Sequence, residues 1–267
     1  MMAQSQGQFG THLREWRQRR RMSQLDLALE AEISARHLSF VETGKSQPSR
    51  EMVLRLAEQL DVPLRDRNVL LSAAGFAPVF PERRLDDPAM HAARRAVDLV
   101  LKGHEPYPAL ALDRHWTMLA ANGAVAPLLA GLPQALVAPP VNVLRLSLHP
   151  DGLSRRIVNF AQWRAHLLER VRRQTEITAD PVLVELLREL EGYPAPRSAG
   201  PAPKSDYADV IVPLRLKMGD TVLSFISTTT VFGTPQDITL SELALETFFP
   251  ADPQTAEILR GMTAAAS

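Results

Sequence analysis

A chain of 267 residues, 45% hydrophobic and 22% charged, is comfortable for two domains and ordinary for a protein that buries a sizeable core, so disorder is not its default state. The lack of cysteine excludes disulfides and thiolate metal sites and fits a reducing, cytoplasmic interior. The 30 basic residues balance 30 acidic ones, which argues against a uniformly basic nucleic-acid binder, yet residues 1–21 hold Arg14, Arg17, Arg19, Arg20 and Arg21 against the single acid Glu15. Such a run suits a small DNA-binding unit, and equally an arginine-rich helix end that complements the backbone dipole. No apolar signal core opens the chain, and no run of about 18 apolar residues is present to span a bilayer, so membrane insertion is not expected.

Hydrophobic spacing predicts five helices before residue 76, at roughly 8–20, 23–31, 34–42, 50–60 and 64–74, joined by very short turns. The inward stripes are Leu13 and Trp16 in the first, Leu25, Leu27, Ala28 and Ala31 in the second, and Val53, Leu54, Ala57 and Leu60 in the fourth. Ser23 and Ser34 stand where N-caps belong, and Gly44 can take the left-handed conformation that closes a helix. The second helix, a brief turn and the third therefore read as a helix-turn-helix. In the third, SARHLSFVETGKSQPS, Leu38 and Val41 share the inner side while Arg36, Ser39 and Phe40 point outward. That outer face is too apolar and too sparsely charged for an ordinary solvated surface.

The segment GFAPVFPERRLDDPAM, residues 75–90, with three prolines and mixed charge, reads as a linker. A helix follows at 91–102. Then PALALDRHWTMLAAN reads as a hairpin about a tight Asp113–Arg114 turn, with Asn122 as cap of a following helix. Helices are expected over 157–174 and 181–191, with Phe160, Trp163, Leu167 and Val171 inward. After a second flexible stretch, YPAPRSAGPAPKSD, strands are expected over 208–217, 221–231 and 238–248. Two early strands, intervening helices and three late strands make one antiparallel sheet with packed helices, an α+β domain.

Ser23-Gln24, Leu27-Ala28, Ser34, Leu38-Ser39 and Glu42-Thr43-Gly44, followed by Pro48, resemble the helix-turn-helix of XRE-family regulators, shared with phage Cro and C1-type repressors. The runs EPYPALALDRHW, NVLRLSLHPDG and LSFISTTTVFGTPQDITLSELALETFFPAD resemble the ligand-binding domain of MmyB-like transcription regulators. The resemblance implies an all-α helix-turn-helix N-domain over residues 1–76, a linker over 77–90 and an α+β, PAS-like C-domain over 91–267. It implies a DNA-binding transcription regulator that is no enzyme, with double-stranded DNA carrying an inverted-repeat operator as partner. One departure stands out, since Glu32 occupies the turn position where the family usually has glycine, so either the backbone there is left-handed or the turn differs.

In this motif the third helix enters the major groove while the second spans the backbone. Arg36 can pair with guanine O6 and N7, Ser39 with a base edge, and Phe40 with a thymine methyl; the resemblance adds Ala35 to the base-reading set. Gln24, His37, Thr43, Lys45 and Ser46 would hold phosphates. Catalytic alternatives find little support. The seven histidines show no HExxH spacing, nucleotide-binding glycine loops and the G-x-S-x-G elbow are missing, and Ser227-Thr228-Thr229-Thr230 reads as a strand. The large second domain has two plausible uses, homodimerisation and the sensing of a small molecule. Leu110, Leu112, Trp116, Met118, Phe160, Trp163, Phe225 and Ile226 are the candidate pocket lining, though most of them read first as plain core, and their apolar character favours a fatty-acid-like ligand over a nucleotide. Arg145, His149, Asn159 and Arg164 are polar candidates for its head group. The competing reading is an interaction module whose C-domain only dimerises and binds no effector.

Overall fold

The computed structural model describes residues 2–196 and 211–264. The chain forms two compact units, Met1–Arg83 with Thr234–Ser241, and Arg84–Gly233 with Glu242–Ser267. The first contains helices α1 (Met2–Arg19), α2 (Gln24–Glu30), α3 (Ala35–Glu42), α4 (Arg50–Gln59) and α5 (Leu64–Ala73). Their inner faces bury Phe9, Leu13, Trp16, Leu27, Leu38, Val41, Val53, Leu56, Leu60, Leu70 and Leu71 in one cluster. Leu25 departs from the expected stripe and is 68% exposed. Lying two residues from Leu27, it falls about 200° around the helix from the buried face.

All five helices end in the same way. Arg21, Glu32, Gly44, Asp61 and Gly75 each take positive φ, between 45° and 87°. The next amide closes each helix: Met22 N donates to Arg17 O, Ile33 N to Ala28 O, Lys45 N to Phe40 O, Val62 N to Ala57 O and Phe76 N to Leu71 O, at 2.8–3.1 Å. This satisfies carbonyls that would otherwise face solvent or the core without a partner. Only two of the five residues are glycine, so Arg21, Glu32 and Asp61 each carry a left-handed strain of roughly 1–2 kcal/mol. The apolar residue that follows offsets it in all three cases, because Met22, Ile33 and Val62 pack on the core, as Phe76 does after Gly75. Glycine is demanded elsewhere for a different reason. A Cβ at Gly10 would lie 2.3 Å from the Glu42 carbonyl oxygen, so α1 touches α3 backbone to backbone and no side chain fits between them.

In the second unit a 3-10 turn, Pro88–Met90, leads into α6 (His91–Gly103), followed by β1 (Ala109–Leu112) and β2 (Met118–Ala121). Short helices α7 (Ala126–Leu129), α8 (Gln134–Val137) and α9 (Val143–Leu148) precede the long α10 (Phe160–Thr178) and α11 (Pro181–Gly192). Then come β3 (Leu214–Met218), β4 (Thr221–Val231), β5 (Ala244–Pro250) and α13 (Pro253–Ala264), while α12 (Ile238–Ser241), between β4 and β5 in sequence, belongs to the first unit. The strands make one antiparallel sheet in the order β2-β1-β5-β4-β3. Alternation splits its side chains between two layers. Ala109, Ala111, Leu243 and Leu245 pack on Val97 and Leu101 of α6, while Leu110, Leu112, Leu214, Leu216 and Phe225 join a larger core with α9, α10 and α11. This is the α+β, PAS-like architecture, an antiparallel sheet with packed helices.

Four local expectations change. The run 238–248 is not one strand, since α12 opens it: Asp237 accepts from the amides of Thr239 and Ser241. Of the strand expected over 208–217, β3 begins at Leu214, and residues 208–210 lie outside the described residues. The hairpin turn runs through Asp113–Thr117 rather than two residues, because the Asp113 carboxylate accepts from the amides of His115 and Thr117. Asn122 caps no helix; it is buried, accepting from Ala109 N and donating to the carbonyls of Leu101 and Tyr107. The expected linker is also divided. Residues up to Arg83 belong to the first unit, where Ile238 N donates to Pro81 O and Arg83 pairs with Asp237 at 3.3 Å.

Candidate nucleic-acid interface and interior cavity

The helix-turn-helix is set by its caps. Ser23 Oγ accepts from Asp26 N and the Asp26 carboxylate accepts from Ser23 N, a reciprocal capping box that starts α2. Hydrogen bonding to Ser23 holds the Asp26 carboxyl below its ordinary value. Ser34 Oγ accepts from His37 N and starts α3. Between them Glu32, at φ 54°, supplies the left-handed residue that glycine would supply more cheaply.

Beneath the surface α3 is held by one buried carboxylate. Glu42 receives Arg17 Nε at 2.7 Å and the other arm of the same guanidinium at 3.0 Å, together with Gln24 Nε2 at 2.7 Å. Arg17 also donates to the Met22 carbonyl, so α1, the turn after it, α2 and α3 meet at this point. Burial pushes the Glu42 carboxyl up, but hydrogen bonds from Arg17 and Gln24 and the charges of Arg17 and Arg14 outweigh it and hold the group below the usual carboxylate range. Glu42 sits in the last turn of α3, where a negative charge opposes the helix dipole, and Arg17 removes that penalty.

Outward, Arg36 and Phe40 are exposed, and the Arg36 guanidinium lies 5.4 Å from the Phe40 ring centroid with Lys45 Nζ at 5.9 Å. Two cations thus flank one exposed aromatic ring. Ser39 is half-buried and its carbonyl accepts the Thr43 hydroxyl at 2.7 Å. His37 and Ser46 are half-buried, Lys45 and Thr43 exposed, and Ala35 packs partly on the core. Gln24 is turned toward Glu42 and fixed there. Nothing in the composition of the motif pointed to the Arg17–Glu42 clamp; its trace in α3 was a lone acid in the last turn.

The second unit contains a cavity of about 100 Å³ that is partly open to solvent. Leu110, Leu112, Trp116, Met118, Trp163 and Phe225 line it; Phe160 and Ile226 do not. Phe160 is packed in the core, and Ile226 neighbours Phe225 on a strand and so faces the opposite layer. Further wall comes from Val125, Leu128, Leu144 and Leu153, in a stretch whose faces the sequence did not reveal because its helices are too short for a periodic signal. Arg145 is paired with Glu189, His149 Nδ1 accepts from Asp151 N, Asn159 bridges Pro213 O and Arg215 N, and Arg164 donates to Glu191 O; none of the four lines the cavity.

Three polar side chains do line it: Ser147, Arg170 and Glu246. Trp116 is held in the strained left-handed region at φ 66°. Its indole N–H donates to Gln174, whose amide donates to Arg114 O, and the Arg170 guanidinium stacks 4.6 Å from its ring. Cavity walls thus come from the β1–β2 turn, α10 and the sheet, elements far apart in sequence. Among the described residues no helix is long and apolar enough to cross a membrane.

Comparison with known proteins agrees with both units. Residues 13–66 match the helix-turn-helix family, and residues 93–262 match the MmyB-like transcription regulator ligand binding domain. Among solved structures, the restriction-modification controller protein C.AhdI from Aeromonas hydrophila is 33% identical over 23% of this chain and 92% of its own, with a TM-score of 0.22. The clp gene regulator ClgR from Corynebacterium glutamicum is 23% identical over 40% of this chain and 96% of its own, with a TM-score of 0.24. No curated protein matches. Since the ligand-binding match alone spans more than half of its length, the chain belongs to the MmyB-like transcription regulators, DNA-binding proteins with a helix-turn-helix ahead of a ligand-binding domain.

Proposed function

We propose that this regulator reads a specific operator through α3 and is controlled by a hydrophobic, fatty-acid-like molecule held in the cavity of its second unit. The cavity carries this reading: it is walled almost wholly by aliphatic and aromatic side chains, which favours an apolar ligand over a nucleotide. A ligand there stabilises the unit by mass action, and it changes operator affinity only to the extent that it favours one domain arrangement over another. Thermal denaturation with and without long-chain fatty acids and their derivatives, run beside an operator titration, tests it. If none of them shifts the melting temperature, dimerisation is left as the role of the second unit.

On the DNA side, Arg36→Ala is expected to weaken specific binding by about 1–3 kcal/mol and to relax preference at one base position, since it removes a bidentate base contact. Lys45→Ala should instead weaken all sequences alike and make the salt dependence shallower by roughly one unit. Binding curves over a series of salt concentrations, on the operator and on scrambled DNA, separate the two. An Arg36→Ala protein with unchanged sequence preference would mean that α3 meets DNA by another face.

One short helix reads too few base pairs to select a site, so the working form is a homodimer on an inverted repeat, in the cytoplasm where the operator is. Half-sites should lie about one helical turn apart or a multiple of it. Sedimentation of the full chain should give twice the 29.5 kDa monomer mass, and footprinting should protect two symmetric patches. A monomer that protects a single patch contradicts this.

A further inference from the structure

The cavity has one charged feature, and that feature is already neutralised. Glu246, on β5, is only 4% exposed; its Oε1 accepts from Arg170 at 2.9 Å, and its Oε2 accepts from Arg170 at 3.1 Å and from the Thr229 hydroxyl at 3.0 Å. Strand register explains the meeting, because Glu246 faces Leu110 on one side and Thr229 on the other, all on β-strands of the same sheet. Arg170 comes down from α10, donates also to Thr229 Oγ1 at 2.9 Å, and is clamped against the Trp116 ring. Both carboxylate oxygens and two arms of the guanidinium are therefore engaged before any ligand arrives. His166 stands one turn before Arg170 on α10, and burial and then the charge of Arg170 hold its imidazole below the ordinary value.

The remaining polar group behaves differently. Ser147, 9% exposed on α9, accepts the Trp163 indole N–H at 3.0 Å. An indole N–H can only donate, so the serine oxygen is the acceptor in that bond and the serine proton is left to be donated. The wall around it is apolar.

From these two facts we infer that the cavity selects an uncharged hydrophobic molecule with a single hydrogen-bond acceptor, such as a long-chain alcohol or ester, and discriminates against a free carboxylate. The inference rests on the cavity being a ligand site and sharpens which member of the fatty-acid-like class enters it. A ligand carboxylate reaching Arg170 has to displace Glu246, leaving a buried anion beside a second one in a poorly screening environment. A neutral carbonyl or hydroxyl oxygen meets no such conflict and can accept from Ser147.

The test is a titration of the full-length protein with dodecan-1-ol, methyl dodecanoate and dodecanoate at pH 7.5, read by thermal shift and by tryptophan fluorescence, since Trp116 and Trp163 line the cavity. The expected order is alcohol and ester together, with dodecanoate at least tenfold weaker. Glu246→Gln, nearly isosteric, should strengthen dodecanoate at least tenfold and leave the alcohol within about twofold. Dodecanoate binding the unaltered protein as tightly as the alcohol overturns the inference while the ligand reading stands. No shift or quenching from any of the three overturns both. Because the order on the unaltered protein decides by itself, the outcome does not depend on the variant folding.

Discussion

Arg17→Met is expected to cost the first unit about 3 kcal/mol, because it leaves the buried Glu42 carboxylate with only the half-exposed Arg14 at 3.5 Å and the Gln24 amide as partners. Small domains hold only about 5–15 kcal/mol in total, so the variant should unfold at much lower urea concentration and lose operator binding near physiological temperature. The loss comes from a buried charge that has lost its two-armed partner rather than from the pair's own attraction. Accordingly, Arg17→Met combined with Glu42→Leu should regain most of the stability, since apolar residues of similar volume often replace a buried pair at little cost. The pH dependence has a definite sign. The Glu42 carboxyl is lowered by folding, so its contribution is present above the unfolded carboxyl's pKa and disappears as pH falls through the folded value. Urea midpoints of the single and double variants, measured at neutral and acid pH, check both statements; a single variant within about 1 kcal/mol of the parent means the clamp does not hold α3.

Trp163→Ala is the second large effect. The indole is 4% exposed, and its removal deletes core contacts and takes the N–H away from Ser147. Aromatic-to-alanine changes in a core cost about 3–5 kcal/mol; here the lower part of that range is expected, since one side of the ring faces the cavity and loses no packing partner. The apo melting temperature should fall by several degrees, in the range of roughly 2–4 °C per kcal/mol for a unit of this size. Any ligand-induced shift should shrink as well, because the wall is gone, while operator binding by the ligand-free protein at low temperature should be largely retained. Differential scanning calorimetry with and without ligand measures both. An unchanged apo melting temperature would mean that Trp163 is not part of the core.

Much of the fold was readable along the chain, for identifiable reasons. Helices α2 and α3 are short and each opens on a serine whose hydroxyl accepts from the first turn, so Ser23 and Ser34 mark their starts. Of the helix ends before residue 76, the one at Gly44 was readable, but not those at Arg21 or Asp61, where the left-handed residue has a side chain and only the apolar residue after it betrays the motif. Glu32 belongs with these, and its left-handed backbone keeps the turn that glycine would have made. In the second unit the 221–231 strand and the two long helices had clear patterns, whereas α7, α8 and α9, like α12 in the first unit, are single turns or little more. Such elements form where caps and tertiary packing hold them, so periodicity carries little trace of them.

The candidate sites divide along the same line. The outward placement of Arg36 and Phe40 follows from helical geometry alone, since residues two and one positions away from Leu38 and Val41 must fall on the other side of α3. Six cavity residues were legible as apolar positions of strands and a helix, because burial pattern is a local property. Which polar groups share the cavity was not. Arg145 and Arg164 looked as eligible as Arg170, and each found its partner elsewhere, in Glu189 and in the end of α11. Arg170 and Glu246 are 76 positions apart and meet only because β5 pairs between β1 and β4 beneath α10. The clamp of Arg17 on Glu42 likewise joins helices 25 positions apart. By itself the sequence determined the longer helices, the serine caps of α2 and α3 and the alternation of the 221–231 strand, since these depend on neighbours within a few positions. Only the tertiary structure decided which charges meet, because an ion pair is chosen by distance in space, and long side chains of one kind are interchangeable until the backbone has placed them.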